Sequence, residues 1–520
     1  MKRLLALATI VVASCLSACG GGSKLTPPPP TGTFSNASLK GQYAFSMSGV
    51  DLNGAYIARV GSFVADGSGN ITSALEDVNS LGAGSAGIVS FTSGTYSIQS
   101  NGRGIIILNS STGGLQVNIA MNSVSRGFMV QTDLGASTSG SFTLQNPADF
   151  VASALTGNYV FDFSGASLAS NGAPLSIVGQ ITSNGAGVLS AGVVDENDGG
   201  TGHTGPTQLP AGSYQLDSSN GIIFGRGTAT FDGRTFAFYI VDGTHIKFLE
   251  EDNLAGIQGD ANLQTGLIPT TNSGFNGNFV FLVGGSAFTT NFAGPNATAV
   301  RFNADGNGNL TAVALDNNNN GNATSETASS NITAATYAID TTVPGSGRGT
   351  LTFTDSRLAS TPLSYVFYLS SPTQGVIQDI SASSIGDGAL YAQSAGPFTL
   401  ASLAPNYAFN WSGVALFTNS NSFEEDFVGL YAQTTGTSKN ISGVTDYVEL
   451  GSTGKNLFNN VGLSGTFTIN GDGTGRNTYQ VSDGSTTFNF QAYIVGPNTI
   501  LLICTDSARV TAGIATTQTP

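Results

Sequence analysis

"LKGQYAFSMSG" at residues 39–49 returns as "LTGNYVFDFSG" at 155–165, "FNGNFVFLVGG" at 275–285 and "LAPNYAFNWSG" at 403–413. Within each copy large apolar residues alternate with small or polar ones: Tyr43, Phe45 and Met47 against Ala44, Ser46 and Ser48. A period of two is that of a strand with one buried face. Recurrence about every 120 residues marks domain-sized units rather than solenoid repeats. Trp411, the only tryptophan, stands where the first copy has Met47 and is read as a core residue.

Each unit continues alike. A second strand such as "RVGSFVAD" meets a third, "NITSALED", across a Gly turn, and a fourth, "GTYSIQS", meets a fifth across a turn ending in Gly-Arg-Gly. That tripeptide surrounds Arg103, Arg226 and Arg348, and degrades around Arg476 to Gly475-Arg476-Asn477. A hairpin follows, clearest in "TFAFYIVDGTHIKFLEED", and then a short strand ending in Gln: "GSFTLQ", "GDANLQ", "GALYAQ" and "GIATTQ". The expected fold is all-β: four tandem antiparallel meander units of about eight strands each, barrel-like because closure removes exposed edges, with a β-sandwich as the alternative. Units are placed at 37–148, 153–266, 273–400 and 401–520. The opening G-x-[YF]-x-F resembles the G-x-W start of lipocalins and avidins, eight-stranded barrels, over a few residues per unit and without the Trp. The whole repeat resembles those of Gly-rich lipoproteins of acidobacteria, which implies a cell-envelope location and no particular activity.

The chain has 520 residues and a formal net charge of −15, yet only 9% of its residues are charged and 70 are glycine. Hydrophobic residues at 40% separate it from disordered chains, and the scarcity of Lys and Arg excludes a nucleic-acid partner. At the N-terminus, Lys2 and Arg3 precede the apolar "LLALATIVVASCLS", which is too short to span a bilayer. It ends in "LSAC", which resembles the lipobox of bacterial lipoproteins and implies a signal peptide at 1–18, acylation of Cys19 and attachment to a membrane. Gly20 after the cysteine implies the outer membrane by the enteric sorting rule. Residues 19–36, including "PPPP", form a Gly/Pro-rich tether. Cys504, in "TILLICTD", is then the only unmodified cysteine, and is read as a buried thiol.

"FVADGSGNIT" at 63–72 and "FNADGNGNLT" at 302–311 pose a choice between calcium loop and tight turn. The second copy, "ITSNGAGVLS", replaces the acid by Asn184, and the fourth, "AQTTGTSKNIS", has none. Gly persists, so these are turns. "DNNNNG" at 316–321 fits D-x-[DN]-x-[DN]-G, offering Asp316, Asn318 and Asn320, with Glu326 nearby, to a weakly held Ca²⁺; an Asn-rich loop with Asx turns is the alternative. No other cofactor is expected. His203 and His245 lack partners at zinc-ligand spacing, and no nucleophile elbow, Walker loop or dinucleotide fingerprint is present. The "EED" runs at 250–252 and 424–426 are read as solvated surface.

In a meander, strands one, three, five and seven run the same way. The Gly-Arg-Gly turns therefore lie where strand one starts. There Arg103 is expected to reach toward Tyr43, Arg226 toward Tyr159, Arg348 toward Phe279 and Arg476 toward Tyr407 as a cation–π plug, or else to be a solvated turn residue. Two recurrent acids mark the opposite end: Asp77, Asp195, Asp316 and Asp446 on strand three, and Asp133, Asp252, Asp379 and Asp506 after strand seven. They are read either as rim binding residues or as turn caps. Two functions follow: a non-catalytic binding, adhesive or structural lipoprotein taking a glycan, peptide or small hydrophobic ligand, or a carbohydrate-active or other envelope enzyme using carboxylates of a divergent unit.

Overall fold

In the computed structural model, each opening motif forms the first strand of its unit: Lys40–Asp51, Thr156–Ser167, Asn276–Thr289 and Asn406–Leu416. The structure describes residues 33–520 except 112, 200, 290–291, 327–330, 356, 358–361, 417–421, 435–438 and 453. Cys19 and most of the tether lie outside the described residues. The eight strand positions of a unit pair in sequence, and the eighth returns to the first, as Phe45 pairing with Phe142 shows. Barrels, not sandwiches, result. The first, second and fourth units close. The third, an open curl, joins its edges only through the bridge between Asn309 and Thr336.

The fourth strand departs from the expected meander. In the first unit it is broken at Thr92 into Ser85–Phe91 and Ser93–Ile98, and in the second it is broken at Pro210 into Gly202–Leu209 and Gly212–Leu216. The fourth unit carries one strand, Gly454–Thr468. Both halves pair with the same third strand, so the break bends the barrel wall without adding a position to it.

Inward residues fill each interior. Tyr43 stacks on Phe63 at 5.4 Å, Phe161 on Phe163 at 4.9 Å, Phe275 on Phe279 at 4.3 Å and Trp411 on Phe409 at 3.9 Å. The last glycine of each opening motif has a packing role. A Cβ on Gly49, Gly165, Gly285 or Gly413 would strike a backbone carbonyl of the eighth strand, so the first and eighth strands cross at a spacing that only glycine permits.

The outward residues of the first strand were expected to meet solvent. Ala44, Val160, Val280 and Ala408 are instead fully buried. They pack on the sixth and seventh strands of the next unit. Ala44, Val60 and Leu75 meet Tyr239 and Val241. Val160 and Val178 meet Val366 and Tyr368, and Val280 and Ala299 meet Tyr493 and Leu501. Ala408 and Val428 close on Phe128 and Val130 of the first unit. Four units, three closed barrels and one open curl, thus form a closed ring with the first strands toward its axis.

Candidate functional site

The joints of this ring take up most of the recurrent polar residues. Arg226 donates to Asp77 of the preceding unit at 2.8 Å, Arg348 to Asp195 at 2.7 Å and Arg476 to Asp316 at 2.6 Å. Arg103 completes the circle by donating to Asp446 of the last unit at 2.6 Å. In three joints a tyrosine hydroxyl also donates to the carboxylate: Tyr239 to Asp77, Tyr368 to Asp195 and Tyr493 to Asp316. In the fourth joint Ala120 holds the tyrosine's register position opposite Arg103, and Asn460 accepts from the guanidinium instead. The terminal glutamines follow the same circle. Gln145, Gln264 and Gln393 donate to paired carbonyls of the next unit, and Gln518 donates to Asn101 and Met121 of the first.

These contacts correct the plug and the rim. The arginines leave their own barrel because a buried carboxylate next door offers a charge-assisted, bidentate partner that an aromatic face cannot match. Asp77, Asp195, Asp316 and Asp446 are at most 1% exposed and present nothing at a mouth. Burial pushes the Asp195 carboxyl up, but Arg348, His203 and Tyr368 together hold it below the ordinary aspartate range. The second set of acids caps turns. Asp133 accepts from the Gln116 and Gly135 amides, Asp252 from Thr235 and Leu254, Asp379 from Ser381 and Asp506 from Asn489. Asp77 lies level with the middle of the first strand, since Val60 pairs with both Asp77 and Ser46, whereas Asp133 lies toward the end opposite the arginine turn, since Val50 pairs with nearby Ser137.

The "DNNNNG" loop is engaged likewise. Asp316 meets Arg476, Tyr493 and Ser325, while the Asn318 amide donates to the Cys504 and Arg509 carbonyls of the fourth unit. Asn320 adopts φ 50°, the left-handed turn conformation, and the Glu326 side chain lies outside the described residues. Asp66 accepts from the Ser68 and Asn70 amides of its own turn, and Asn184 does the same for Ala186 and Val188. A neutral residue performing the same task identifies the task as turn capping. The "EED" runs, expected at the surface, are largely internal. Glu250 meets Arg234, Glu425 meets Arg509, and Asp426 accepts from Ser137 and Ser139 of the first unit at 2.6 Å each. Cys504 is buried, and burial with Asp506 beside it pushes its thiol well up.

What remains is the axis of the ring. A cavity of about 870 Å³ is lined by all four units. A continuation of about 230 Å³ runs on between the second and third units past Asp162, Asp260 and Asp387. By contrast, the room left inside the second barrel is about 30 Å³, lined by Phe161, Phe163 and their neighbours. Serines dominate the first unit's wall (Ser46, Ser48, Ser139, Ser141), whereas Gln258, Asp387, Asn410, Glu424 and Asp426 come from the other three. Equivalent positions of the first strand hold Ser46, Asp162, Leu282 and Asn410, so the scaffold repeats while its axial lining does not. Sequence reading missed this site because its residues are single polar substitutions in an outward face taken to be solvated. The one available signal was their divergence between copies.

No family model matches the chain, and no curated protein matches it. Among solved structures, kievitone hydratase from Nectria haematococca aligns at 9% identity and TM-score 0.18, covering 46% of this chain and 95% of that one. The isotype 1 transferrin binding protein B from serogroup B Neisseria meningitidis aligns at 10% identity and TM-score 0.18, covering 77% of this chain and 82% of that one. The barrels therefore rest on the strand pairings above, and the site on its own geometry.

Proposed function

We propose that the chain is a membrane-tethered envelope lipoprotein that binds a ligand without transforming it, and that the ligand occupies the axial cavity. The observation that carries this reading is the contrast in volume. About 870 Å³ shared by four units lies within the usual range of small-molecule sites, whereas the barrel interiors are filled by aromatic rings. The four units act as one ring, not as separate modules gaining avidity along a tether.

Orientation supports the same reading. The Phe34 amide donates to the Ser100 carbonyl beside the arginine turn, so the tether leaves from that end of the ring. The wide part of the cavity is lined by Gly54, Gly172 and Pro174 of the opposite, first-hairpin end. A lipid on Cys19 would leave this mouth facing away from the membrane. Among the described residues no helix is long and apolar enough to cross a membrane.

Two measurements test the parts separately. A fatty-acid probe fed to the producing cells is expected to label the protein, and Cys19→Ala is expected to abolish the label; equal labelling of the variant overturns the anchor. In a fragment screen of the full chain, bound fragments are expected to perturb Tyr56 and Asn410. Ser412→Trp, which puts an indole ring at the cavity wall, is expected to remove that binding. Binding confined to the outer hairpins and indifferent to Ser412→Trp overturns the site.

A further inference from the structure

The axial cavity has a distribution of charge that narrows its occupant. Carboxyls line it and its continuation in two groups on different walls: Asp162, Asp260 and Asp387 from the second and third units, and Glu424 and Asp426 from the fourth. Lys247 is already engaged, donating to Asp260 at 3.1 Å and to Ser46 at 2.9 Å. Oε1 of Gln258 is shut off from solvent without a hydrogen-bond partner, which costs free energy unless something donates to it, whereas the Asp162 and Asp387 carboxyls hydrogen-bond to one another. Between the two groups stands Tyr56. Its hydroxyl donates to the Ser164 carbonyl, and both Asp387 and Glu424 act on it electrostatically.

Resting on the cavity as a ligand site, we propose that its occupant is a small organic polyamine, with one ammonium at Asp162 and Asp387 and a second at Glu424 and Asp426. A bare divalent ion does not suit the wall, because among the described residues no three His, Cys, Asp or Glu side chains gather as metal ligands. A chain of methylenes between separated ammonium groups does. Val50, Ala166, Leu175, Ile385 and Ile514 supply apolar surface to the same cavity, and Tyr56 lines it with them. Burial pushes Asp387 and Asp426 up to about 6, and pushes Asp162 and Glu424 well above the ordinary carboxyl range.

The test is calorimetric titration of the full chain with spermidine, and with 1,5-pentanediol as a neutral chain bearing hydroxyls at its ends. Spermidine is expected to bind and pentanediol not to. Asp387→Asn and Glu424→Gln are near-isosteric, and each is expected to weaken spermidine by at least about tenfold, the loss of one charge-assisted contact. Ser412→Trp is expected to abolish binding. Spermidine affinity unchanged in both carboxamide variants overturns the polyamine. If a neutral ligand binds and is lost in Ser412→Trp while spermidine is not, the polyamine falls and the cavity stands. If no binding responds to Ser412→Trp, both fall.

Discussion

Arg348→Ala is expected to destabilise the protein by about 3–5 kcal/mol, the loss typical of breaking a buried ion pair from one side. The guanidinium donates to Asp195 at 2.7 and 2.8 Å and to Asp340 at 2.9 Å. Asp195 has no exposed surface, so truncation leaves its charge inside the joint between the second and third barrels with only Tyr368 and His203 to meet it. Arg348→Lys keeps the charge but loses the planar fork, and an intermediate loss is expected. The measurement is urea unfolding followed by circular dichroism. A cost below about 1 kcal/mol for Arg348→Ala, the size of a surface pair, would mean that these joints do not hold the ring together. The same reasoning applies to Arg226 and Arg476, whose joints have the same tyrosine.

Between pH 5 and pH 8 the folded chain is expected to lose about 3 kcal/mol or more of stability, an unusual direction for an acidic protein near neutrality. Burial pushes Glu76 and Glu425 up to about 7 despite Arg59 and Arg509, and Asp387 and Asp426 up to about 6. Such carboxyls bind more protons in the folded state than in the unfolded state. Their contribution is whole below about pH 4 and is lost as pH rises through 6 and 7. Asp195 and Asp340 act oppositely: partners hold them below the ordinary value, so what they contribute is lost only on acidification below about pH 4. The optimum therefore falls near pH 4–5.5. Urea midpoints at pH 5 and pH 8 check this, and Glu76→Gln is expected to flatten the difference. A midpoint higher at pH 8 would show that these carboxyls are charged in the folded protein.

How much of this was legible depended on the range over which each residue acts. Alternation in "LKGQYAFSMSG", the Gly turns and the terminal hairpins are local patterns, and they determine strands, turns and a meander before any partner is known. Repetition of that pattern determined four units, and the replacement of Asp66 by Asn184 was enough to read a turn. The recurrence of Arg and Asp was equally visible, but their partnership was not. Arg226 and Asp77 are 149 residues apart, and Arg103 and Asp446 are 343 apart. Within a single unit, period-two alternation made one face core and the other solvent. Only the tertiary structure showed Ala44, Val160, Val280 and Ala408 to be a second buried face, because burying a strand's outer side requires another barrel. The axial cavity is the remainder of that packing. Four curved walls that meet at their flanks cannot also meet at the centre, and the polar residues facing the gap acquire their meaning only once the ring is closed.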